Sequence, residues 1–168
     1  GDSGIYGMAG LALELWLEQK YVPNPLLEVH PGVSALQVAA AKVGAPVMHD
    51  FCAISLSDCL TSWSIIENRL KAAAVGDFVI AIYNPRSNQR DWQFNRAKEI
   101  LLAHRKSSTP VVLARQIGRP DEKINFYTLD NVPSGQVDMF TIALIGNSDS
   151  FFQDGSVLTP RGYLINKK

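Results

Sequence analysis

Loops rich in glycine, serine and asparagine follow several predicted strands, and they hold the residues best suited to ligand chemistry. The loops are Pro31-Gly32-Val33-Ser34-Ala35, Asn84-Pro85-Arg86-Ser87, Arg115-Gln116-Ile117-Gly118-Arg119 and Gly146-Asn147-Ser148. In open α/β sheets, ligands collect at the carboxyl ends of strands, where backbone amides and helix N-termini face a crevice. Glycine lets the backbone approach a ligand closely, and Ser and Asn add short hydrogen-bonding groups. Each loop alone is equally consistent with turn and cap residues.

The elements that position these loops follow from hydrophobic periodicity. The predicted helices run from about Met8 to Glu18, Ala35 to Val43, Trp63 to Ala74 and Gln89 to His104. The predicted strands are Leu26 to His30, Phe51 to Leu56, Asp77 to Tyr83, Pro110 to Arg115, Lys123 to Thr128 and Asp138 to Ile145. Ser34 is expected to cap the second helix, and Gly44 is expected to end it. The whole predicts an α/β fold with mixed sheets that end in antiparallel strands.

Composition narrows the class of protein. The chain has 168 residues, 46% of them hydrophobic, which favours a globular fold. Sixteen basic and sixteen acidic residues give zero net charge, so general attraction to nucleic acid or anionic membrane is not expected. Apolar runs such as Phe78 to Tyr83 are too short to cross a bilayer, and no secretory signal opens the chain, which predicts a cytoplasmic protein. Cys52 and Cys59 lack the spacing of a zinc site, so we expect ordinary free thiols and no metal.

Six segments, taken in order, resemble the tetrapyrrole (corrin/porphyrin) methylase family. Gly1-Asp2-Ser3-Gly4-Ile5-Tyr6-Gly7-Met8 resembles its Gly-Asp-Pro-Gly-like loop, and Pro31-Gly32-Val33-Ser34-Ala35 resembles the next one. The other four resemble the members that methylate carbon 17 of the corrin precursor precorrin-3B. They are residues 49–58 (HDFCAISLSD), 83–87 (YNPRS), 145–148 (IGNS) and 159–163 (TPRGY). Ser3 stands where Pro is common in the family, and the family's opening strand and glycine-rich loop would precede Gly1, so we expect the chain to begin in mid-domain.

The resemblance implies two α/β domains with a ligand cleft between them, residues 1–50 completing the first domain and 51–168 forming the second. It implies S-adenosylmethionine as the methyl donor, methylation at carbon 17 with ring contraction, a tetrapyrrole substrate as the small-molecule partner, and a homodimer. It places the cofactor against Gly1, Asp2, Ser3, Ser34, Ala35, Tyr83, Asn84, Ala114, Ile145 and Gly146. Whether the substrate contains cobalt stays open.

Two further groups of residues are assigned to the substrate on the same resemblance. His49, Asp50, Ser57 and Asp58 are candidates for acid-base or positioning roles in ring contraction, although His49 and Asp50 are also consistent with a capped linker turn. Five arginines in or beside the cleft loops are candidates for binding the acetate and propionate groups of the tetrapyrrole. They are Arg86, Arg90, Arg115, Arg119 and Arg161. For any single arginine, a solvated loop side chain is an equal alternative.

Two other functions remain open from the sequence. One is a corrin-pathway methyltransferase that acts on a different carbon. The other is a tetrapyrrole- or nucleotide-binding protein without catalytic activity, because the family's opening loop is not in this chain. A dinucleotide oxidoreductase is disfavoured, since no Gly-x-Gly-x-x-Gly follows a predicted strand.

Overall fold

The computed structural model describes residues 1–19 and 27–163. Its helices are α1 (Ala9–Gln19), α2 (Ala35–Val43), α3 (Trp63–Val75) and α4 (Gln93–Leu102). Its strands are β1 (Gly44–Ala45), β2 (Phe51–Ser55), β3 (Val79–Tyr83), β4 (Pro110–Arg115), β5 (Lys123–Thr128), β6 (Thr141–Ile145), β7 (Phe151–Gln153) and β8 (Ser156–Leu158). The predicted α/β class with mixed sheets is confirmed.

The larger sheet has five strands in the order β2-β3-β6-β4-β5. β2 and β3 are parallel, whereas β6 runs antiparallel to both β3 and β4, and β5 runs antiparallel to β4. β3 and β4 therefore point the same way, on either side of β6. The prediction that the sheet ends in antiparallel strands is confirmed, and β3 is buried as its continuous apolar run predicts.

Each face of this sheet packs against helices, because side chains alternate between the faces along every strand. Ile80 and Ile82 join the core formed with α3 and α4, whereas Ala81 joins the core formed with α2. β6 divides in the same way, with Ala143 in the first core and Leu144 in the second. The sheet is therefore the middle layer of three.

Helix α2 begins and ends at the predicted residues. The Ser34 hydroxyl accepts a hydrogen bond from the Gln37 amide at 3.4 Å, and the Gln37 side chain accepts one from the Ser34 amide at 2.8 Å. This reciprocal capping box satisfies two amides that the first turn leaves free. Gly44 ends the helix with a φ of 119°, a left-handed value that glycine adopts without strain.

The structure differs from the sequence prediction at four places. Residues 27–30 form no strand, and the remaining residue of that predicted strand, Leu26, lies outside the described residues. Helix α4 begins at Gln93 instead of Gln89, because Ser87 and Arg90 pair in an isolated bridge that closes a turn. Strand β6 begins at Thr141, after the Asp138–Phe140 turn. Helix α1 is present, but its apolar residues Leu11 and Leu15 are 48% and 47% exposed.

A second, three-stranded sheet in the order β1-β8-β7 was missed. The Asp154-Gly155 pair turns β7 back into β8 with φ values of 48° and 76°, as a two-residue hairpin loop requires. β1 then pairs parallel with β8. The segment from α2 to β1 thus packs against the C-terminal half of the chain, and the predicted boundary at residue 50 stays a prediction. Among the described helices, none is long and apolar enough to cross a membrane.

Candidate functional site

The loops predicted to bind ligands lie at one end of the five-stranded sheet, where β2, β3 and β4 end. This end is called the ligand edge. β2, β3 and β4 all end at this edge, and β6 begins there because it is antiparallel to its two neighbours. Arg115 at the end of β4 is paired with Thr141 at the start of β6. The loops after β2, β3 and β4 therefore meet the chain entering β6, and three cavities open among them.

The first cavity lies at the N-terminus of α2 and is called the α2 cavity, with a volume of about 340 Å³. It is lined by Gly1, Val33, Ala35, Val38, Tyr83, Asn84, Gln116, Ile117, Gly118, Arg119, Met139, Phe140, Thr141 and Ile142. The lining combines the first residue of α2, Ala35, with residues of the loops after β3 and β4 and with the beginning of β6. Such a lining suits a ligand that combines polar and apolar parts.

Two side chains hold α2 against the sheet. The Tyr83 hydroxyl accepts a hydrogen bond from the Leu36 amide at 3.1 Å, which joins the end of β3 to the first turn of α2. Glu122 accepts hydrogen bonds from Lys42 at 2.7 Å and from the Gly118 amide at 2.7 Å. These hydrogen bonds, that of Lys42 first, lower the pKa of Glu122. The loop after β4 is thereby fixed beside the cavity.

The loop at Gly1–Gly7 is tied to the loop at Pro31–Ala35 by one carboxylate. Asp2 accepts hydrogen bonds from the amides of Gly4, Ile5 and Gly32 at 2.7, 3.0 and 2.8 Å. The loops lie so close that a Cβ at Gly32 would come within 2.4 Å of the Gly1 carbonyl oxygen. Glycine is therefore required here by the close approach of two backbones.

Because the ionised Asp2 carboxylate ties two loops beside the α2 cavity, ligand binding in this cavity should weaken at acidic pH. The hydrogen bond from Gly32, followed by that from Gly4, lowers its pKa. Its contribution is therefore present above the usual aspartate range and is lost as pH falls through the lowered pKa. If the cavity holds the expected cofactor, Asp2→Ala should weaken binding of its demethylated product, S-adenosylhomocysteine, roughly fivefold at neutral pH, on the scale of losing a helix cap. Calorimetry from neutral to acidic pH should show wild-type affinity falling toward that of Asp2→Ala, whereas parallel curves would contradict the assignment.

The predicted cofactor residues separate into three groups. Gly1, Ala35, Tyr83 and Asn84 line the α2 cavity. The other loop residues support it: Asp2 ties two loops, the Ser3 hydroxyl donates to the His30 carbonyl at 3.2 Å, and Ser34 caps α2. Ala114 is fully buried beneath the cavity, and Ile145 and Gly146 lie at the opposite edge of the sheet.

The placement of Ile145 and Gly146 corrects the expectation that the end of β6 faces the ligand. Because β6 is antiparallel to β3, Ile145 pairs with Ile80 near the beginning of β3, far from Tyr83. A Cβ at Gly146 would come within 2.5 Å of the Ser150 side chain. Substitution of Gly146 therefore disturbs the turn after β6 and does not test the α2 cavity.

The four predicted catalytic residues are divided between the two edges of the sheet. His49 and Asp50 precede β2 and lie at its amino end, where His49 Nδ1 accepts a hydrogen bond from the Asp50 amide at 2.7 Å. Ser57 and Asp58 follow β2 and lie at the ligand edge. Asp58 accepts a hydrogen bond from Gln93 at 2.9 Å and lies 3.8 Å from Arg90 Nε. Of the four predicted catalytic residues, only Ser57 lines one of the three cavities, whereas Asp58 is engaged with Gln93 and Arg90.

Ser57 contributes to a second cavity, called the Ser57 pocket, with a volume of about 490 Å³. It is lined by Tyr6, Ala53, Ile54, Ser55, Ser57, Cys59, Leu60, Thr61, Arg69 and Asn84. A third cavity, the Arg86 pocket, is lined by Arg86, Ser87, Asn88, Gln89, Asp91, Gly135, Val137, Asp138, Met139 and Phe140.

The five predicted substrate arginines do not form one cluster. Arg86 lines the Arg86 pocket and Arg119 lines the α2 cavity, whereas Arg161 is exposed and lines none of the three cavities. Arg90 is buried, and its guanidinium donates to the Leu56 carbonyl at 3.3 Å, which makes it a support for the loops. Arg115 donates to Asp138 at 2.7 Å.

The Arg115–Asp138 pair fixes the turn that leads into β6. Burial opposes ionisation of Asp138, but hydrogen bonds from Thr141 and Arg115 outweigh it and lower the pKa of Asp138. Arg115 also lies 5.9 Å above the Phe140 ring. The side chain is therefore engaged within the protein.

Sequence reasoning missed the wall formed by Met139, Phe140, Thr141 and Ile142. A signal for it was present: the last strands were predicted to be antiparallel, and an antiparallel strand brings its beginning to the edge where its neighbours end. Gln116 and Gly118, in a loop that was identified, have φ values of 49° and 75°. Left-handed backbone at a non-glycine residue is common at ligand sites.

Comparison with known proteins agrees with these features. The family described as Tetrapyrrole (Corrin/Porphyrin) Methylases matches residues 1–133. The chain is 47% identical to the cobalt-factor III methyltransferase of Priestia megaterium over 97% of its length, and covers 31% of that protein. It is 46% identical to the probable cobalt-factor III C(17)-methyltransferase of Salmonella typhimurium over 98% of its length, covering 68% of that protein. It is 42% identical to the precorrin-3B C(17)-methyltransferase of a Sinorhizobium species, covering 97% of this chain and 66% of that one.

Solved structures give the same result for the fold. The crystal structure of the methyltransferase CobJ matches with a TM-score of 0.90 and 38% identity, over 95% of this chain and 67% of that one. Uroporphyrin-III C-methyl transferase from Thermus thermophilus, complexed with S-adenosylhomocysteine, matches with a TM-score of 0.61 and 21% identity, over 87% of this chain and 62% of that one. The motifs, the matched family and the relatives together show that this chain belongs to the tetrapyrrole (corrin/porphyrin) methylases.

Proposed function

We propose that the protein is an S-adenosylmethionine-dependent methyltransferase that methylates carbon 17 of cobalt-factor III or precorrin-3B, with ring contraction. The three relatives above, which are 42–47% identical over nearly the whole chain, support the reaction by the activities in their names. The chain spans 31% of the first relative and about two thirds of the other two. The activity is therefore proposed for the full-length gene product that contains this chain.

The observation that carries the proposal is the position of Asn84 between two cavities. Asn84 lines both the α2 cavity and the Ser57 pocket, so ligands bound in the two would be neighbours. Methyl transfer needs a donor and an acceptor held in line, and such orientation can contribute about 7 to 11 kcal/mol to catalysis. Two adjoining cavities at one sheet edge are the arrangement that this reaction requires.

The α2 cavity fits the methyl donor. The Gly32 and Gly118 loops and the first turn of α2 present backbone around it, and Ala35 leaves room for a ligand at that turn. Arg119 lines this cavity and can bind the single carboxylate of S-adenosylmethionine. When bound, the sulfonium supplies an electrophilic methyl group, and the task left to the protein is orientation.

Arg86, Arg161 and Ser57 remain proposed for the tetrapyrrole, Arg86 and Ser57 because each lines a cavity beside the donor site. Arg90 and Asp58 are proposed to position the loops, given their contacts with each other and with Leu56. We also propose the two domains 1–50 and 51–168, a homodimer, and a cytoplasmic location. Light scattering of the purified protein tests the dimer.

Two measurements on the full-length gene product test the function. Calorimetry should show binding of S-adenosylhomocysteine, and incubation with S-adenosylmethionine and cobalt-factor III or precorrin-3B should add one methyl group at carbon 17 by mass spectrometry and NMR. A methyl group at another carbon would identify a different corrin-pathway methyltransferase. Tetrapyrrole binding without S-adenosylhomocysteine binding would identify a binding protein without catalytic activity.

A further inference from the structure

The wall of the Ser57 pocket carries hydrogen-bonding groups and one charged side chain. Ser55, Ser57 and Thr61 bring hydroxyl groups to it, and Arg69 brings a positive charge. Among the described residues that line this pocket, none carries a carboxylate. A pocket lined by one cation and several hydroxyl groups is a suitable site for an anionic group, because guanidinium binds carboxylates through paired hydrogen bonds.

Arg69 is available for such a ligand. Its side chain is exposed on α3, and it forms no ion pair with any of the residues that the structure describes. The carboxylate nearest along the helix, Glu67, is bound by Lys71 at 2.9 Å and by Arg96 at 3.1 Å. These two contacts satisfy Glu67 and leave the Arg69 guanidinium free to turn toward the pocket.

The Arg86 pocket is less suited to a substrate with many carboxylates. Its wall contains two acidic residues, Asp91 and Asp138, beside the single basic residue Arg86. Like charges at short distance repel, and this favours the Ser57 pocket for a polyanionic ligand. Because Arg115 binds Asp138 at 2.7 Å, the charges at the Arg86 pocket balance, whereas the described lining of the Ser57 pocket offers a net positive charge.

Asn84 fixes the boundary between the Ser57 pocket and the α2 cavity. Its φ is 51°, a left-handed value, and its side-chain amide donates to the Ser55 hydroxyl oxygen at 3.0 Å. Asparagine is one of the few residues that tolerates this conformation. The hydrogen bond holds the loops after β2 and β3 together at the place where donor and acceptor would meet.

We propose that the Ser57 pocket receives the edge of the tetrapyrrole acceptor, with Arg69 binding one of its peripheral carboxylates. The proposal rests on the proposed function and adds to it the position of the acceptor. It assigns substrate binding to Arg69, which is not one of the five arginines predicted from the sequence to bind the substrate.

Alkylation of Cys59 can measure whether a ligand occupies this pocket, and the measurement does not depend on catalysis. It lines the pocket and is exposed, so iodoacetamide should modify it readily. Cys52 is an internal control, because burial raises the pKa of its thiol and the thiol is only partly accessible. We expect saturating cobalt-factor III to slow alkylation of Cys59 at least about fivefold, as counted by peptide mass spectrometry, with Cys52 unchanged.

Charge is tested by Arg69→Met, which keeps much of the apolar stem and removes the guanidinium. Absorbance titration should show a Kd for cobalt-factor III about fivefold to tenfold higher, with S-adenosylhomocysteine affinity unchanged. Arg69→Lys should recover part of the loss. Lys106→Met is the control for loss of a positive charge, since Lys106 is exposed and lines none of the three cavities, and it should leave Kd unchanged.

The outcomes separate this proposal from the proposed function. Cobalt-factor III that binds without protecting Cys59, or that binds Arg69→Met as tightly as the wild type, overturns the position of the acceptor and leaves the methyltransferase proposal standing. If Arg86→Met raises the Kd for cobalt-factor III and Arg69→Met leaves it unchanged, the proposal is also overturned, and the Arg86 pocket is favoured as the position of the acceptor. Absence of binding of both cobalt-factor III and precorrin-3B refutes both proposals.

Discussion

Ala35→Phe should abolish most of the affinity for S-adenosylhomocysteine. Ala35 is the first residue of α2 and lines the α2 cavity, so a benzyl group there would occupy the space of the ligand. We expect calorimetry to show a Kd at least about a hundredfold higher, which corresponds to ~2.8 kcal/mol at about 1.4 kcal/mol per factor of ten. Methyl transfer at subsaturating donor should fall in parallel.

The control for this variant lies on the same helix. Ala41→Phe adds the same group to the exposed face of α2, so its affinity should match that of the wild type. Val38→Trp, on the cavity wall, fills the space from the next turn of the helix and should repeat the loss. If both cavity variants bind S-adenosylhomocysteine normally while remaining folded by circular dichroism, the α2 cavity is not the donor site.

Arg105→Leu should be among the most destabilising single substitutions in the chain. Arg105 is buried, and its guanidinium donates to the carbonyls of Gly146, Phe78 at 2.5 Å and Ala73 at 3.4 Å. Burial lowers the pKa of Arg105, and no carboxylate in the described part of the chain pairs with it. Its removal leaves three carbonyls without this donor, and at about 1 to 3 kcal/mol for each buried group left unsatisfied we expect a loss of about 3 to 5 kcal/mol in the free energy of unfolding.

Thermal unfolding measures this effect. For a chain of this length, the loss corresponds to a Tm lower by roughly 6 to 20 °C. Arg96→Leu is the matched control: Arg96 is an exposed arginine with ion pairs to Glu67 and Glu99, and its removal should change Tm far less because surface ion pairs contribute little. Similar Tm values for the two variants would show that the contacts of Arg105 with the carbonyls of Gly146, Phe78 and Ala73 do not stabilise the fold appreciably.

The sequence predicted the elements well where local chemistry decides them. Ser34, with Gln37 three residues later, specifies a capping box, and the start of α2 follows from those two residues alone. The buried run at β3 is equally direct, because only a central strand hides both faces of so many apolar residues. At these places the information lies within a few neighbouring residues.

The errors arose where the answer depends on distant parts of the chain. Which end of β6 lies at the ligand edge is decided by its insertion between β3 and β4, and nothing within the segment itself records that pairing. For the same reason Gly146 was expected beside the ligand, whereas Thr141, which lines the α2 cavity, was not. Arg90 carries a charge typical of a ligand-binding loop, yet the folded chain surrounds it with the carbonyls of Leu56 and Asn84.

The position of β6 also decides when this sheet can form during synthesis. β6 is the last of the five strands to leave the ribosome, yet it lies in the middle of the sheet. Until Ile145 has emerged, the β2–β3 pair and the β4–β5 pair have no strand to join them. Any pairing of these strands before that point leaves open apolar edges, which are vulnerable to pairing with other chains. Completion of the sheet and formation of the ligand edge are then one event, because the strand that joins the halves also brings Thr141 and Ile142 to the α2 cavity.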